Sequence, residues 1–231
     1  MPVEAKICGI TDLAALNAAI VGGARLVGFV FFPASPRALK PAAAADLAKA
    51  VPPGVLRVGL TVDATDAQIE AILAVVPLDV LQLHGHESPA RASAVRARFG
   101  LRVIKAIAVS DAGDADAARC YEGHVDCLLF DARPPSGASR PGGNALTFDW
   151  RVLARRDWQQ PWLLAGGLTA ANVMEAVRLS GAGAVDVSSG VEDSPGHKDP
   201  ALIHDFLARV AQIKLATHEP TVAPGSAAAH I

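Results

Sequence analysis

The sequence predicts one α/β domain in which eight parallel strands, each followed by a helix, close into a single (β/α)8 barrel. Three observations predict it. Short runs rich in Leu, Ile and Val alternate eight times with Ala-rich amphipathic stretches. The runs recur at intervals of roughly 20 to 35 residues, the spacing that parallel βαβ crossovers require. The chain has 231 residues, 51% of them hydrophobic, which suits one barrel of about 200–250 residues with a single large core.

Strand one is expected over residues 3–8, and Thr11 and Asp12 are placed to cap a first helix over 12–22. Gly22 and Gly23 stop that helix, and strand two follows over 26–31. Pro41 suits the first turn of a helix over 41–50. Strands over 55–62, 79–83, 102–107 and 126–130 alternate with helices over 66–75, 88–99 and 112–121, with Gly100 at a helix stop. Residues 132–147, ARPPSGASRPGGNALT, interrupt the rhythm. A Pro/Gly/Ser-rich loop longer than about 12 residues inside a compact domain is a functional or disordered segment. A helix over 149–156, a strand over 162–165, a helix over 170–179 capped by Thr169 and stopped by Gly181, a strand over 184–188 and a helix over 200–213 complete eight units. With no material left over, closure into a TIM barrel is favoured over an open doubly wound sheet. The barrel domain is therefore expected over 1–215. The Pro/Ala-rich remainder, 216–231, is expected to be a flexible tail.

Composition narrows the function. A net charge of -2 with no basic cluster gives no footprint for nucleic acid. No run reaches the roughly 18 apolar residues of a bilayer span, and MPVEAKICGIT lacks a signal-peptide core, so a cytoplasmic location without a membrane partner is expected. Three cysteines without framework spacing argue for a reducing compartment, and no paired Cys or His motif predicts a metal site.

In a barrel of this kind the active site lies at the C-terminal ends of the strands. Those ends carry Cys8, Arg37, His84, Asp131, Gly166-Gly167 and Ser188-Ser189-Gly190. The turns after strands seven and eight are the usual phosphate site, because glycine lets an anion approach backbone N–H groups at helix N-termini. They could equally be ordinary βα turns. Asp131 ends an apolar run, where partial desolvation favours the protonated carboxyl of a general acid; a capping or ion-paired role is the alternative. Cys8 could be a small buried hydrophobe, but Lys6 shares its strand face, and a nearby cation lowers a thiol's pKa. Cys120 and Cys127 lack such placement and read as structural. Arg37 closes the Pro-stiffened Pro33-Ala34-Ser35-Pro36 and offers a fork for a planar carboxylate, unless it is a solvated surface group. His84 reads as a substrate contact, with proton carrier and structural group as alternatives, and Asp186 as support for the rim.

Taken together, KICGIT (Lys6 to Thr11), GFVFFPASPR (Gly28 to Arg37), LDVLQLHG (Leu78 to Gly85), LLFDA (Leu128 to Ala132), FDW (Phe148 to Trp150), LAGGL (Leu164 to Leu168), VDVSSGVE (Val185 to Glu192) and PGHKD (Pro195 to Asp199) resemble the motifs of the phosphoribosylanthranilate isomerases of tryptophan biosynthesis, in the family's order. The resemblance implies an Amadori rearrangement of a phosphorylated aminosugar, with no metal or organic cofactor. It implies that Cys8 is the general base, that Asp131 is the general acid, that Arg37 binds the anthranilate carboxylate, and that phosphate sits on Gly166, Gly167, Ser188, Ser189 and Gly190. A small phosphorylated molecule is then the expected partner, and family members occur as monomers or homodimers. Two rivals remain. The related histidine-pathway isomerase carries Asp at strand one where this chain has Cys8, and a non-catalytic phosphate-binding barrel would leave Cys8 and Asp131 unexplained.

Overall fold

The computed structural model describes residues 2–135, 137, 142–143 and 145–214. The predicted tail, 216–231, lies outside the described residues, as do residues 136, 138–141 and 144 of the long loop after strand six. Eight strands hydrogen-bond in sequence order and close into a barrel: β1 (Glu4–Cys8), β2 (Leu26–Val30), β3 (Leu56–Thr61), β4 (Val80–Leu83), β5 (Arg102–Val109), β6 (Cys127–Ala132), β7 (Trp162–Leu164) and β8 (Ala184–Val187). All pairs are parallel, and β1 closes the ring against β8 with Lys6 level with Asp186.

Both faces of these strands are covered, so the runs are continuously apolar rather than alternating. The two-residue period still sorts them. Leu26, Val58, Val80, Ile104, Leu129 and Leu163 fill the barrel's interior. Ile7, Val27, Phe29, Leu81, Phe130 and Leu164 point outward and join the helices in the larger core. Toward the C-terminal mouth the inward positions change character, to Lys6, Cys8, Gln82, Asp131 and Asp186, all of them buried.

Among the described residues, seven α-helices surround the barrel: α1 (Leu13–Val21), α2 (Pro41–Lys49), α3 (Asp66–Leu73), α4 (Pro89–Phe99), α5 (Ala112–Ala117), α6 (Val173–Ser180) and α7 (Pro200–Ala211). Asp12 caps α1 by accepting from the Ala15 N–H, whereas Thr11 reaches instead to the Gly196 carbonyl. Pro41, Pro89 and Pro200 open their helices where a missing N–H costs nothing. Gly100 and Gly181 end α4 and α6 in the left-handed conformation, at φ 65° and 78°. On α7, Ile203, Phe206, Leu207 and Val210 form the buried stripe that docks on the barrel. Truncating Leu207 to Ala would cost about 2–5 kcal/mol.

Two expectations are corrected. The stretch 149–156 is a single 3-10 turn, Trp150–Leu153, and not a helix. Asp149 caps that turn, but Ala154 leaves helical backbone at ψ 140° and Arg155 takes φ 56°. The chain turns back because Trp158 packs on Phe130 of β6, ring centroids 4.8 Å apart. One helical turn has no stability of its own, so this contact decides the path. Further on, α6 starts at Val173 with Asn172 in the N-cap position and no side-chain cap, rather than being capped by Thr169. The Thr169 carbonyl accepts from the N–H groups of Asn172 and Val173, and Asn172 Oδ1 accepts from the Thr169 N–H, so a separate turn precedes the helix.

Candidate active site

The mouth of the barrel is assembled from β1 inward. Lys6 and Cys8 lie on the same interior face, as their spacing predicts. The Lys6 ammonium is fully buried and stands 2.8 Å from Asp186 Oδ1. The neighbouring strand makes room for both groups at Gly28, where an added Cβ would lie 3.1 Å from Cys8 Sγ and 3.3 Å from Lys6 Nζ. The Asp186 and Cys8 side chains overcome the desolvation of Lys6 and push its pKa above the ordinary lysine value. For Cys8 the balance runs against the sequence expectation. Burial pushes the thiol up, Lys6 pulls it down, and the net direction is up. The cation is present as predicted, but the thiol is more deeply buried than its place at a strand end suggested.

Across the mouth, β6 presents Asp131. Its Oδ1 accepts from the N–H of Ala132 at 2.8 Å, and its Oδ2 lies 3.4 Å from His84 Nε2. The other imidazole nitrogen, Nδ1, is 2.9 Å from the Gln82 amide nitrogen. Gln82 lies in β4, two residues before His84, which directly follows the strand's last residue, so the two side chains emerge on the same side. The long loop after β6 returns over these groups at Gly142, where a Cβ would approach Asp131 Oδ2 to 2.5 Å and His84 Nε2 to 2.8 Å. Only glycine allows the backbone so close.

Arg37 is buried, not solvated. Its Nε and Nη2 form a fork on Glu192, at 2.6 and 2.7 Å. Glu192 also accepts from the Lys198 ammonium at 2.5 Å, and Lys198 in turn donates to the Ser188 carbonyl at 3.0 Å. Burial works to raise Glu192, but the bond from Arg37 and the charge of Lys198 outweigh it and hold the carboxyl below its usual range. Burial lowers Lys198, opposed by the charge of Glu192. At Gly9, φ is 81° and a Cβ would come within 2.5 Å of Arg37 Cδ, so this glycine lets the Arg37 stem cross the end of β1.

The two glycine-rich turns meet beside Asp131. Gly166 and Gly167 take φ 88° and 60°, and a Cβ at Gly190 would run into the Leu168 carbonyl. A 3-10 turn, Ser189–Val191, follows β8. The first N–H groups of such a turn have no partner within it and suit an anion. These residues line a concavity of about 30 Å³. A second, of about 50 Å³, is lined by Cys8, Arg37, His84 and Asp131. The two share Asp131, Gly143, Asp186 and Ser188, so all nine sequence-predicted site residues converge on one continuous site.

Glu192 and Lys198 lie in matched motifs, yet nothing local in the sequence assigns them a role, and the one signal for Gln82 is its two-residue spacing from His84. Of the two cysteines expected to be structural, Cys120 is exposed and Cys127 is buried in the barrel interior. Among the described residues no cluster of three or more His, Cys, Asp or Glu could hold a metal, and no helix is long and apolar enough to cross a membrane.

A family model described as N-(5'-phosphoribosyl)anthranilate (PRA) isomerase matches residues 5–209. The N-(5'-phosphoribosyl)anthranilate isomerase of Rhodospirillum centenum is 58% identical over 214 residues, which covers 92% of this chain and 100% of that relative. That of Paracoccus denitrificans is 58% identical over 209 residues, covering 90% and 97%. Among solved structures, phosphoribosyl anthranilate isomerase from Thermotoga maritima superposes with TM-score 0.81 at 37% identity, covering 90% of this chain and 98% of that chain. A phosphoribosyl anthranilate isomerase in complex with reduced 1-(o-carboxyphenylamino)-1-deoxyribulose 5-phosphate gives TM-score 0.78 at 36% identity, with the same coverage.

Proposed function

The chain belongs to the N-(5'-phosphoribosyl)anthranilate isomerase family, and from that membership we propose how its own residues carry the family's reaction. The protein is an isomerase of tryptophan biosynthesis that converts N-(5'-phosphoribosyl)anthranilate to 1-(2-carboxyphenylamino)-1-deoxyribulose 5-phosphate.

Asp131 is the general acid. Its carboxyl proton passes to the furanose ring oxygen as the bond from that oxygen to C1 breaks, and the nitrogen lone pair forms an iminium. Cys8, as thiolate, then takes the proton from C2. The released electron pair forms the C1–C2 double bond and the iminium electrons return to nitrogen, giving an enolamine. Proton transfer from the C2 hydroxyl and to C1 yields the ketone, so composition is unchanged. Positioned acid and base groups contribute about 10² to 10⁴-fold each.

Binding is divided among the other groups. Phosphate is held by the turns at Gly166-Gly167 and Ser188-Ser189-Gly190, and His84 lies against the substrate beside the acid. Arg37 takes the anthranilate carboxylate, with Glu192 fixing its fork. The observation that carries this assignment is the shared concavity: Cys8 and Asp131 open to one cavity that also reaches Arg37 and runs into the glycine-rich turns. The test is the loss of phosphoribosylanthranilate fluorescence on addition of the purified chain, with the histidine-pathway aminosugar as the comparison substrate. Turnover of the first supports the assignment, and no turnover overturns it.

A further inference from the structure

Gln82 is completely buried in the wall of the barrel, level with Leu60 of β3 and Ile104 of β5. Among the described residues its Oε1 has no hydrogen-bond partner. A buried carbonyl without a donor costs stability, and an apolar side chain of the same length would avoid that cost. The amide's one partner among the described residues is His84, whose Nδ1 is 2.9 Å from Gln82 Nε2. The opposite imidazole nitrogen faces Asp131 Oδ2 at 3.4 Å. The three side chains therefore form a line, amide to imidazole to carboxyl, that ends on the proposed acid.

The chemistry of the line fixes its hydrogens. A neutral imidazole carries one N–H, and the nitrogen that bears it is set by the bond the other nitrogen makes. When Asp131 has given up its proton, its Oδ2 needs a donor, and the facing group is His84 Nε2. Nε2 must then carry the hydrogen, and Nδ1 must accept. An amide N–H₂ at Nδ1 meets that requirement; a carbonyl oxygen there would select the opposite tautomer and turn a lone pair toward the carboxylate.

We propose that Gln82 is a positioning residue for the acid step: it fixes the Nε2–H tautomer of His84, so that the imidazole donates to Asp131 and stabilises the carboxylate left when the ring oxygen is protonated. This rests on Asp131 being the acid. Gln82 touches no substrate and acts only through His84.

Nitrogen-15 NMR of the imidazoles separates the tautomers directly, with a His84→Gln protein assigning the signal. Gln82→Met keeps the side-chain length and removes the donor; Gln82→Glu keeps the shape and puts an acceptor at Nδ1. In the native protein the hydrogen is expected on Nε2. Gln82→Met should mix the tautomers, Gln82→Glu should move the hydrogen to Nδ1, and each should lower kcat about tenfold, a fraction of a general acid's contribution, with KM changed less than about twofold. A native His84 protonated on Nδ1, an unchanged tautomer in the variants, or an unchanged kcat would each overturn the proposal. If Gln82→Met fails to fold, the native tautomer and Gln82→Glu decide it alone. Failure of the acid assignment reads differently: Asp131→Asn would keep full turnover while the tautomer still followed residue 82.

Discussion

The ammonium of Lys6 and the carboxylate of Asp186 meet at 2.8 Å inside the barrel, level with each other on β1 and β8. Burial is the largest influence on the acidity of the Cys8 thiol, and the two charges of the pair act on it in opposite directions. Lys6 pulls the thiol's pKa down, while burial and Asp186 push it up, and the sum is upward. Thiolate is then the minor form at neutral pH. It follows that kcat/KM rises with pH on its base limb. Lys6→Met should move that limb to higher pH, and each unit of movement lowers kcat/KM about tenfold on the limb. A pH–rate profile of the two proteins checks this; a limb that stays or moves to lower pH contradicts it.

The same burial has a consequence for stability. Cys8 and Cys127 both have thiols raised by desolvation in the folded protein. An unfolded thiol ionises near about 8.5, so above that pH the unfolded chain holds fewer protons than the folded one. Stability is fully present below that value and is lost progressively as pH rises toward the folded pKa values. Thermal melts at increasing alkaline pH should show Tm falling, and Cys127→Ala should flatten the slope whatever it does to Tm at neutral pH. An identical slope in that variant would exclude Cys127 as a source.

Arg37, Glu192 and Lys198 form a buried set of two cations on one carboxylate. Removing the carboxylate leaves both cations uncompensated, and Glu192→Ala should destabilise the protein by about 3–5 kcal/mol in denaturant melts. Arg37→Lys is milder for folding but loses the fork. It should raise KM about tenfold, the cost of one lost charge-assisted hydrogen bond, while kcat changes less. An unchanged KM would remove Arg37 from carboxylate binding.

Gly190 lets the turns after β7 and β8 pack together. Gly190→Ala drives a methyl into the Leu168 carbonyl, so the phosphate turns must separate. Overpacking of this kind costs about 1–3 kcal/mol, and both Tm and the affinity for inorganic phosphate as a competitive inhibitor should fall. A variant with native phosphate affinity would place the anion elsewhere.

The barrel was legible because its signals are local. Alternating apolar runs, prolines at helix starts and glycines at helix ends each depend on a few neighbouring residues, and Gly100 and Gly181 take the left-handed conformation their positions implied. The site was legible as a set of strand ends, since chain order alone puts Cys8, His84, Asp131 and Ser188 on one rim. What the sequence withheld lies between residues far apart in the chain. Arg37 and Glu192 are 155 positions apart, and nothing near Arg37 announces its counter-ion. The path of 149–156 is decided by Trp158 packing at a tilt on Phe130, a contact no helical periodicity encodes. The net acidity of Cys8 depends on the depth of burial, which a strand-end position does not reveal.

A carboxyl on β6 that protonates the ring oxygen and a thiolate on β1 that takes the C2 proton are the two groups on which the proposed isomerisation turns. Single-variant kinetics test this most directly. Cys8→Ala and Asp131→Asn, each confirmed as a folded barrel by circular dichroism, are assayed for loss of phosphoribosylanthranilate fluorescence. Each variant is expected to lose about 10² to 10⁴-fold in kcat. Native turnover by either variant would contradict it.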